Sequence, residues 1–227
     1  MKVQEYISSR REARPLHFTL LDPGKTSADD LITLAKQTAE AGTDGFMVGG
    51  STDLSLENVD LAVETIKQAT HMPVILFPTH ASSVSGKADA IFFMSLLNSE
   101  SRQFLVGEQI ASAPWVKKTG LEPLSMAYLV VAPGMTAGRV GQAQPLPRDQ
   151  PDLVVSHALA GQYLGMKYIY LEAGSGASEP VPEDIIKSVR ESIDVTLIVG
   201  GGIRTPESAR KVVSAGADIV VTGTFVE

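Results

Sequence analysis

The chain has no cysteine, so disulfides, thiolate metal sites and a cysteine nucleophile are all excluded. No apolar run approaches the length of a membrane span, and the start, Met1-Lys2-Val3-Gln4-Glu5, lacks the apolar core of a signal peptide. Positive charge is in deficit: a formal net charge of −7 and a pI near 5.1 argue against a nucleic-acid surface. Histidine is sparse, and His17, His71, His80 and His157 show no paired metal spacing. His17 reads as a satisfied core residue, His71 and His157 as structural, and His80 as a residue behind a site. No serine, histidine and aspartate arrangement suggests a hydrolase triad. What these absences leave is a cytoplasmic protein with no nucleic-acid partner and no stable membrane insertion.

What the chain does have is apolar content in a regular rhythm. With 227 residues and 44% hydrophobic composition it can bury a full core. No shift in composition divides it, so residues 1–227 read as one domain, with 1–15 as an N-terminal helical extension. Short apolar runs recur at Leu16–Leu21, Gly45–Val48, Val74–Phe77, Ala90–Met94, Ser125–Val131, Tyr168–Leu171, Thr196–Val199 and Asp218–Thr222. Each ends in a glycine, proline or polar turn, as a strand buried on both faces should.

Helical patterns lie between them. Ser27 and Ser55 precede two, and proline opens those at Pro151–Leu164, Pro182–Ser192 and Pro206–Ala215. Another is expected from about Arg102 towards Lys118, with a kink or break at Pro114. Eight strands alternating with helices indicate an α/β fold, a (β/α)8 TIM barrel in preference to an open doubly wound sheet. The barrel is modified. Residues Pro78 to Lys87 are too short and polar for a full third helix, and no eighth helix follows the last strand in this sequence. The long glycine- and proline-rich stretch Pro133–Gln150 reads as a lid or a disordered loop.

Chemistry concentrates where strands end. Gly200-Gly-Gly202 follows the seventh strand and Gly223-Thr224 the eighth, and bare N–H groups at such turns cradle phosphate in barrels. Asp22 ends the first strand and Gly49-Gly-Ser-Thr-Asp53 the second, offering hard oxygens for a divalent cation completed by substrate phosphates. In Tyr168-Ile-Tyr-Leu-Glu-Ala-Gly-Ser-Gly176, alternation points Tyr170 and Glu172 into the barrel. A glutamate there is either a core residue paired with lysine or arginine, or a functional carboxylate, and its place at a strand end favours function. Phe104 and Trp115 read as packing or interface residues.

Leu20-Leu-Asp-Pro23, Gly49-Gly-Ser-Thr-Asp53, Phe92-Phe-Met-Ser-Leu-Leu-Asn-Ser99, Tyr170-Leu-Glu-Ala-Gly-Ser-Gly176, Gly200-Gly-Gly-Ile-Arg204 and Val221-Thr-Gly-Thr224, in this order, resemble the geranylgeranylglyceryl phosphate synthase family. The resemblance runs from about Leu16 to the end. It implies a barrel whose third helix is replaced by irregular chain. It also implies a prenyltransferase that moves a geranylgeranyl group from its diphosphate to sn-glycerol 1-phosphate, the first ether bond of archaeal-type lipids. Carried over by position, Asp22 and Ser51 become Mg2+ ligands. Tyr170, Leu171, Glu172, Ala173, Gly174, Ser175, Gly176, Gly201, Gly202, Gly223 and Thr224 become contacts of glycerol phosphate. Many members have asparagine where Thr224 stands here, and bacterial-type members have a lysine at the position of Leu20. The family also implies a homo-oligomer. Glu172 is the candidate catalytic base. The competing readings are an isomerase or lyase of a small sugar phosphate and a non-catalytic phosphometabolite-binding barrel.

Overall fold

The structure, a computed structural model, describes residues 1–50 and 54–223. Eight parallel strands close into a barrel in sequence order. They are β1 (Leu16–Leu21), β2 (Gly45–Val48), β3 (Val74–Leu76), β4 (Ala90–Leu96), β5 (Glu122–Val130), β6 (Tyr168–Glu172), β7 (Thr196–Gly200) and β8 (Ile219–Thr222). The fold is therefore the modified TIM barrel that the alternating pattern predicts. The two-residue period decides which side chains fill it. Tyr168 and Tyr170 pack inward with Phe18, Met47, Phe92 and Ile198. Ile169 and Leu171 pack outward against the helix layer.

Around the barrel stand α2 (Ala28–Glu40), α3 (Leu56–Ala69), α4 (Glu108–Thr119), α6 (Pro151–Tyr163), α7 (Glu183–Ser192) and α8 (Pro206–Ser214), with a short α5 (Met135–Val140) after β5. Their starts follow the expected chemistry. Ser27 accepts from the Asp30 N–H at 3.2 Å, Ser55 from the Asn58 N–H at 3.2 Å, and Thr205 from the Ser208 N–H at 3.1 Å. After β3 only a single 3-10 turn forms, at Ala81–Ser83, so the third outer helix is indeed reduced. Trp115 of α4 lies under this segment and donates its indole N–H to the Val84 carbonyl at 2.9 Å. Among the described residues no helix follows β8, and no helix is long and apolar enough to cross a membrane.

Two local expectations are corrected. The helix containing Pro114 does not break there; α4 runs through it, and the irregularity lies upstream in a π-turn at Gln103–Gly107. Pro114 is on the solvent side, where the carbonyl it deprives of a partner can be met by water. The stretch after β5 is neither a free lid nor disordered. It carries α5 and is tied down by Asn98, whose amide donates to the carbonyls of Val130 at 2.9 Å and Gln144 at 2.7 Å and accepts from the Val130 N–H.

The N-terminal extension closes the barrel floor. In α1 (Val3–Arg11), Val3 and Ile7 join the interior cluster, and the Glu122 carboxylate at the start of β5 accepts from the N–H groups of Val3 at 2.6 Å and Gln4 at 3.2 Å. Asp44, buried before β2, takes a two-pronged bond from Arg14 (2.9 and 2.6 Å) and another from the His17 N–H at 3.1 Å. One carboxylate thus joins the segment after α1 to β1 and β2. Asp44→Ala is expected to lower the unfolding free energy by about 2–3 kcal/mol, the scale of lost charge-assisted hydrogen bonds, read as a lower urea midpoint at unchanged slope.

Candidate active site

At the C-terminal ends of the strands, Glu172 is the centre. Its side chain is buried, and Oε1 accepts from the Gly174 N–H at 2.6 Å. The hydroxyls of Tyr128 and Tyr170 donate to the same carboxylate. No lysine or arginine pairs with it among the described residues, so the reading as an ordinary core ion pair does not hold. Burial pushes its pKa above the ordinary carboxylate value, against the lowering pull of these three hydrogen bonds. Burial also drives both tyrosines well above their ordinary value, so they remain donors. Their rings stand edge to face at 5.2 Å between centroids, and Phe77 meets Tyr128 in the same way at 5.4 Å.

Two chambers flank this carboxylate. The more polar one is floored by Tyr170 and Glu172 and walled by Ser175, Gly176, Gly201, Gly202, Arg204 and Gly223, with Leu20, Ile203 and Val221 as its apolar part. Gly201 has φ +80°, and a Cβ there would overlap the Glu172 carboxylate and the Gly174 backbone. Only glycine lets β7 turn this closely over β6. Arg204 donates to the Gly176 carbonyl at 2.8 Å, bringing a guanidinium to the rim. Backbone N–H groups, a hydroxyl and a guanidinium are the kinds of donor that can hold an anion.

The second chamber is apolar, lined by Leu20, Phe77, Met94, Leu96, Phe104 and Val140. Asp22 and Lys25 stand at its mouth, and Glu108 and Gln109 of α4 also line it. Leu20, Glu172, Ser175 and Gly223 belong to both walls. Asp22 is buried, accepts from the Gly24 N–H at 3.0 Å and meets the Lys25 ammonium at 3.2 Å. Gly50 passes so close that any side chain there would strike the Asp22 carboxylate.

The sequence model of the PcrB family matches residues 7–227. The chain belongs to the PcrB family. It is 53% identical to the geranylgeranylglyceryl phosphate synthase of Pyrococcus horikoshii, over 100% of this chain and 89% of that protein. It is 48% identical to the synthase of the same name from Methanothermobacter marburgensis, over 100% and 92%. The crystal structure of (S)-3-O-geranylgeranylglyceryl phosphate synthase from Thermoplasma acidophilum, in complex with sn-glycerol-1-phosphate, superposes with a TM-score of 0.97 at 46% identity, covering 100% of this chain and 92% of that one. An N-acetylmannosamine-6-phosphate 2-epimerase from Clostridium perfringens, at 14% identity and a TM-score of 0.59 over 93% and 87%, shares the fold alone.

On this PcrB-family barrel, the residues expected at the site divide. Tyr170, Glu172, Ser175, Gly176, Gly201, Gly202 and Gly223 line the polar chamber. Gly174 lies behind it, donating to Glu172. Leu171 and Ala173 do not reach it: both side chains pack into the outer core, because they fall on the other phase of the strand's alternation. Ser51 and Thr224 lie outside the described residues. His17, as expected, is a core residue, bonded through Nε2 to Thr222 Oγ1 at 2.8 Å and held below its ordinary pKa chiefly by burial. His80 bonds to Glu108 at 3.1 Å, behind the apolar wall. Arg204, Tyr128 and Phe77 had not been singled out. The signals were present: Arg204 ends the glycine motif, and Tyr128 sits in phase with the inward residues of β5. Replacing Arg204 by methionine is expected to weaken binding of inorganic phosphate about tenfold by titration calorimetry, the loss of one charge-assisted contact.

Proposed function

We propose that this chain is a cytoplasmic prenyltransferase that moves a geranylgeranyl group from its diphosphate to the hydroxyl of sn-glycerol 1-phosphate. The observation that carries the reading is the meeting of an anion-binding chamber and an apolar chamber at one buried carboxylate. A small sugar phosphate would use the first chamber and leave the second without purpose. The relative from Thermoplasma acidophilum, complexed with sn-glycerol-1-phosphate, supports the same assignment.

In this reading the glycine loops after β6, β7 and β8, with Arg204, hold the acceptor's phosphate and fix its orientation. The acceptor hydroxyl then lies by Glu172 between the two chambers. The donor's chain lies along Leu20, Phe77 and Met94, with its diphosphate towards Asp22 and Lys25. The bond from allylic carbon to diphosphate oxygen breaks, and the pyrophosphate leaves with the electron pair. The acceptor oxygen forms the new ether bond to that carbon, and its proton passes to Glu172. The rings of Phe77 and Tyr128 exclude water from the allylic centre.

Asp22 fits a Mg2+ ion: its carboxylate is buried, faces the chamber mouth and already has a cationic group against it. The described residues contain no group of three or more carboxylates and histidines that could cage a metal alone, so the diphosphate would supply most ligands, with Ser51 as the second protein oxygen. Bound there, Mg2+ would neutralise charge developing on the leaving diphosphate. A homo-oligomer belongs to the same proposal, with the exposed Val106 and Ile110 beside and on α4 as its apolar contact.

Purified protein incubated with geranylgeranyl diphosphate, sn-glycerol 1-phosphate and Mg2+ should give the ether product by mass spectrometry. Product should vanish with EDTA or with sn-glycerol 3-phosphate. Binding of glycerol phosphate without turnover of any prenyl donor would sink the transferase reading. Glu172→Gln should lower kcat by about 10²- to 10⁴-fold, the usual worth of a positioned base, while acceptor binding measured by calorimetry stays close to wild type. The pH profile has a definite sign. Because burial raises the Glu172 pKa, the acid limb of kcat/KM should lie above the ordinary carboxylate value of 4.5. Tyr128→Phe removes a hydrogen bond that favours the charged form, so its limb should move to still higher pH.

A further inference from the structure

The more polar chamber is walled largely by glycine backbone, and such a wall keeps its shape only if something holds it from behind. Two glycines show where that support lies. Gly174, whose N–H meets Glu172, rests on Gly134 of the segment after β5, so closely that a Cβ on it would overlap the Gly134 carbonyl. Gly202 rests in the same way on the peptide joining Glu179 to Pro180, in the segment after β6.

One guanidinium joins the two supports. Arg148, shortly before α6, donates through Nη1 to the Ala132 carbonyl at 3.2 Å and through Nη2 to the Pro180 carbonyl at 3.0 Å. Ala132 stands two residues before Gly134, on backbone paired with the end of β6. There the Val131 N–H donates to the Glu172 carbonyl at 2.8 Å and the Gly134 N–H to the Ala173 carbonyl at 3.0 Å. Pro180 belongs to the very peptide on which Gly202 rests. Arg148 itself lines neither chamber. Its remaining contact is an ion pair with Glu179 at 3.4 Å, whose side chain is 75% exposed, so that contact adds little. The two carbonyl bonds are charge-assisted and partly buried, which makes them the stronger tie.

We infer that Arg148 is a positioning residue for the acceptor: it sets the spacing between the loops that carry Gly174 and Gly202, and with it the width of the chamber that takes sn-glycerol 1-phosphate. The inference rests on the prenyltransferase reading above for the identity of that ligand. Without the guanidinium, the segments carrying Ala132 and Pro180 can separate, and the glycines resting on them follow. Hydrogen bonds converging on one phosphate from several loops tolerate only small displacements. The apolar chamber is insulated from this change. It draws Ala137, Val140 and Gly141 from the stretch around α5, which Asn98 and Ser99 fasten separately to the end of β4 through the Gln144 and Gly141 carbonyls. The effect of Arg148 should therefore fall on the acceptor and spare the donor.

The test is the Kd of sn-glycerol 1-phosphate by titration calorimetry, with the KM of each substrate beside it. Arg148→Met keeps the stem and loses the fork; it should raise the acceptor Kd and KM about tenfold and leave the KM for geranylgeranyl diphosphate unchanged. Arg148→Lys, which reaches one carbonyl at a time, should fall between the methionine variant and wild type. Glu179→Gln loses only the exposed ion pair and should match wild type. Asp44→Ala is the control for instability: it loosens the barrel floor and should lower Tm without moving the acceptor Kd. An unchanged acceptor Kd in folded Arg148→Met overturns the inference, as does an equal rise in Asp44→Ala or an equal rise in the KM of both substrates. Should Arg148→Met not fold, Arg148→Lys decides: a several-fold rise in Kd supports the inference and a wild-type Kd overturns it. Because calorimetry needs no turnover, a wild-type protein that binds the acceptor and transfers no prenyl group sinks the function and not this inference.

Discussion

A carboxylate taken out of water must be met by donors, and around Glu172 the donors are two tyrosine hydroxyls and one glycine N–H rather than a cation. Much of the site follows from that requirement. Tyr128 and Tyr170 must enter from β5 and β6 at matching heights, which the register between these strands provides by pairing them directly. The chain after β6 must turn back with Gly174 in a left-handed conformation to present its N–H. The chain after β7 must then pass over the carboxylate with no side chain in between, which requires Gly201. The glycine loops and the buried carboxylate are thus one construction. The glycines whose backbone faces the chamber are also those that leave space for the glutamate beneath.

The second constraint comes from the reduced helix. A barrel strand normally has a full helix covering its outer face, and β3 is followed by one 3-10 turn. The exposed flank is covered instead from the side, by α4, through the Trp115 bond to Val84 and the Glu108 clasp on Ala81. Beside these polar contacts, Val84 packs in one buried apolar cluster with Val116 of α4 and Ile91 of β4. The same helix contributes Glu108 and Gln109 to the lining of the apolar chamber, beside Pro78 and Thr79 of the segment after β3.

Much of this was legible in the residues. Short apolar runs ended by glycine or polar turns marked all eight strands, and serine, threonine and proline marked the helix starts, because both signals act over a few residues. The inward direction of Tyr170 and Glu172 followed from a two-residue period. The same period turns the side chains of Leu171 and Ala173 towards the outer core, although the family resemblance carries both positions into the site. Tyr128 was missed because its importance lies in a partner more than forty positions away. The stretch after β5 looked loose because glycine and proline dominate it, whereas its order comes from the Asn98 amide, at the end of a different strand. The π-turn before α4 had no local signature, and Pro114 drew attention to the wrong end of that helix.

The closed floor has a further implication for how an amphiphile moves. With Val3 and Ile7 plugging one end and the polar loops crowning the other, a long hydrocarbon cannot thread the barrel along its axis. It has to cross the wall sideways, and the weakest part of the wall is where β3 spans only three residues beside the single 3-10 turn, while β5, on the other side of β4, spans nine. Local opening free energies, as amide exchange would record them, should be lowest along β3 and the turn after it. The molecule would then behave as a rigid cup for a headgroup, hinged on one flank for a tail.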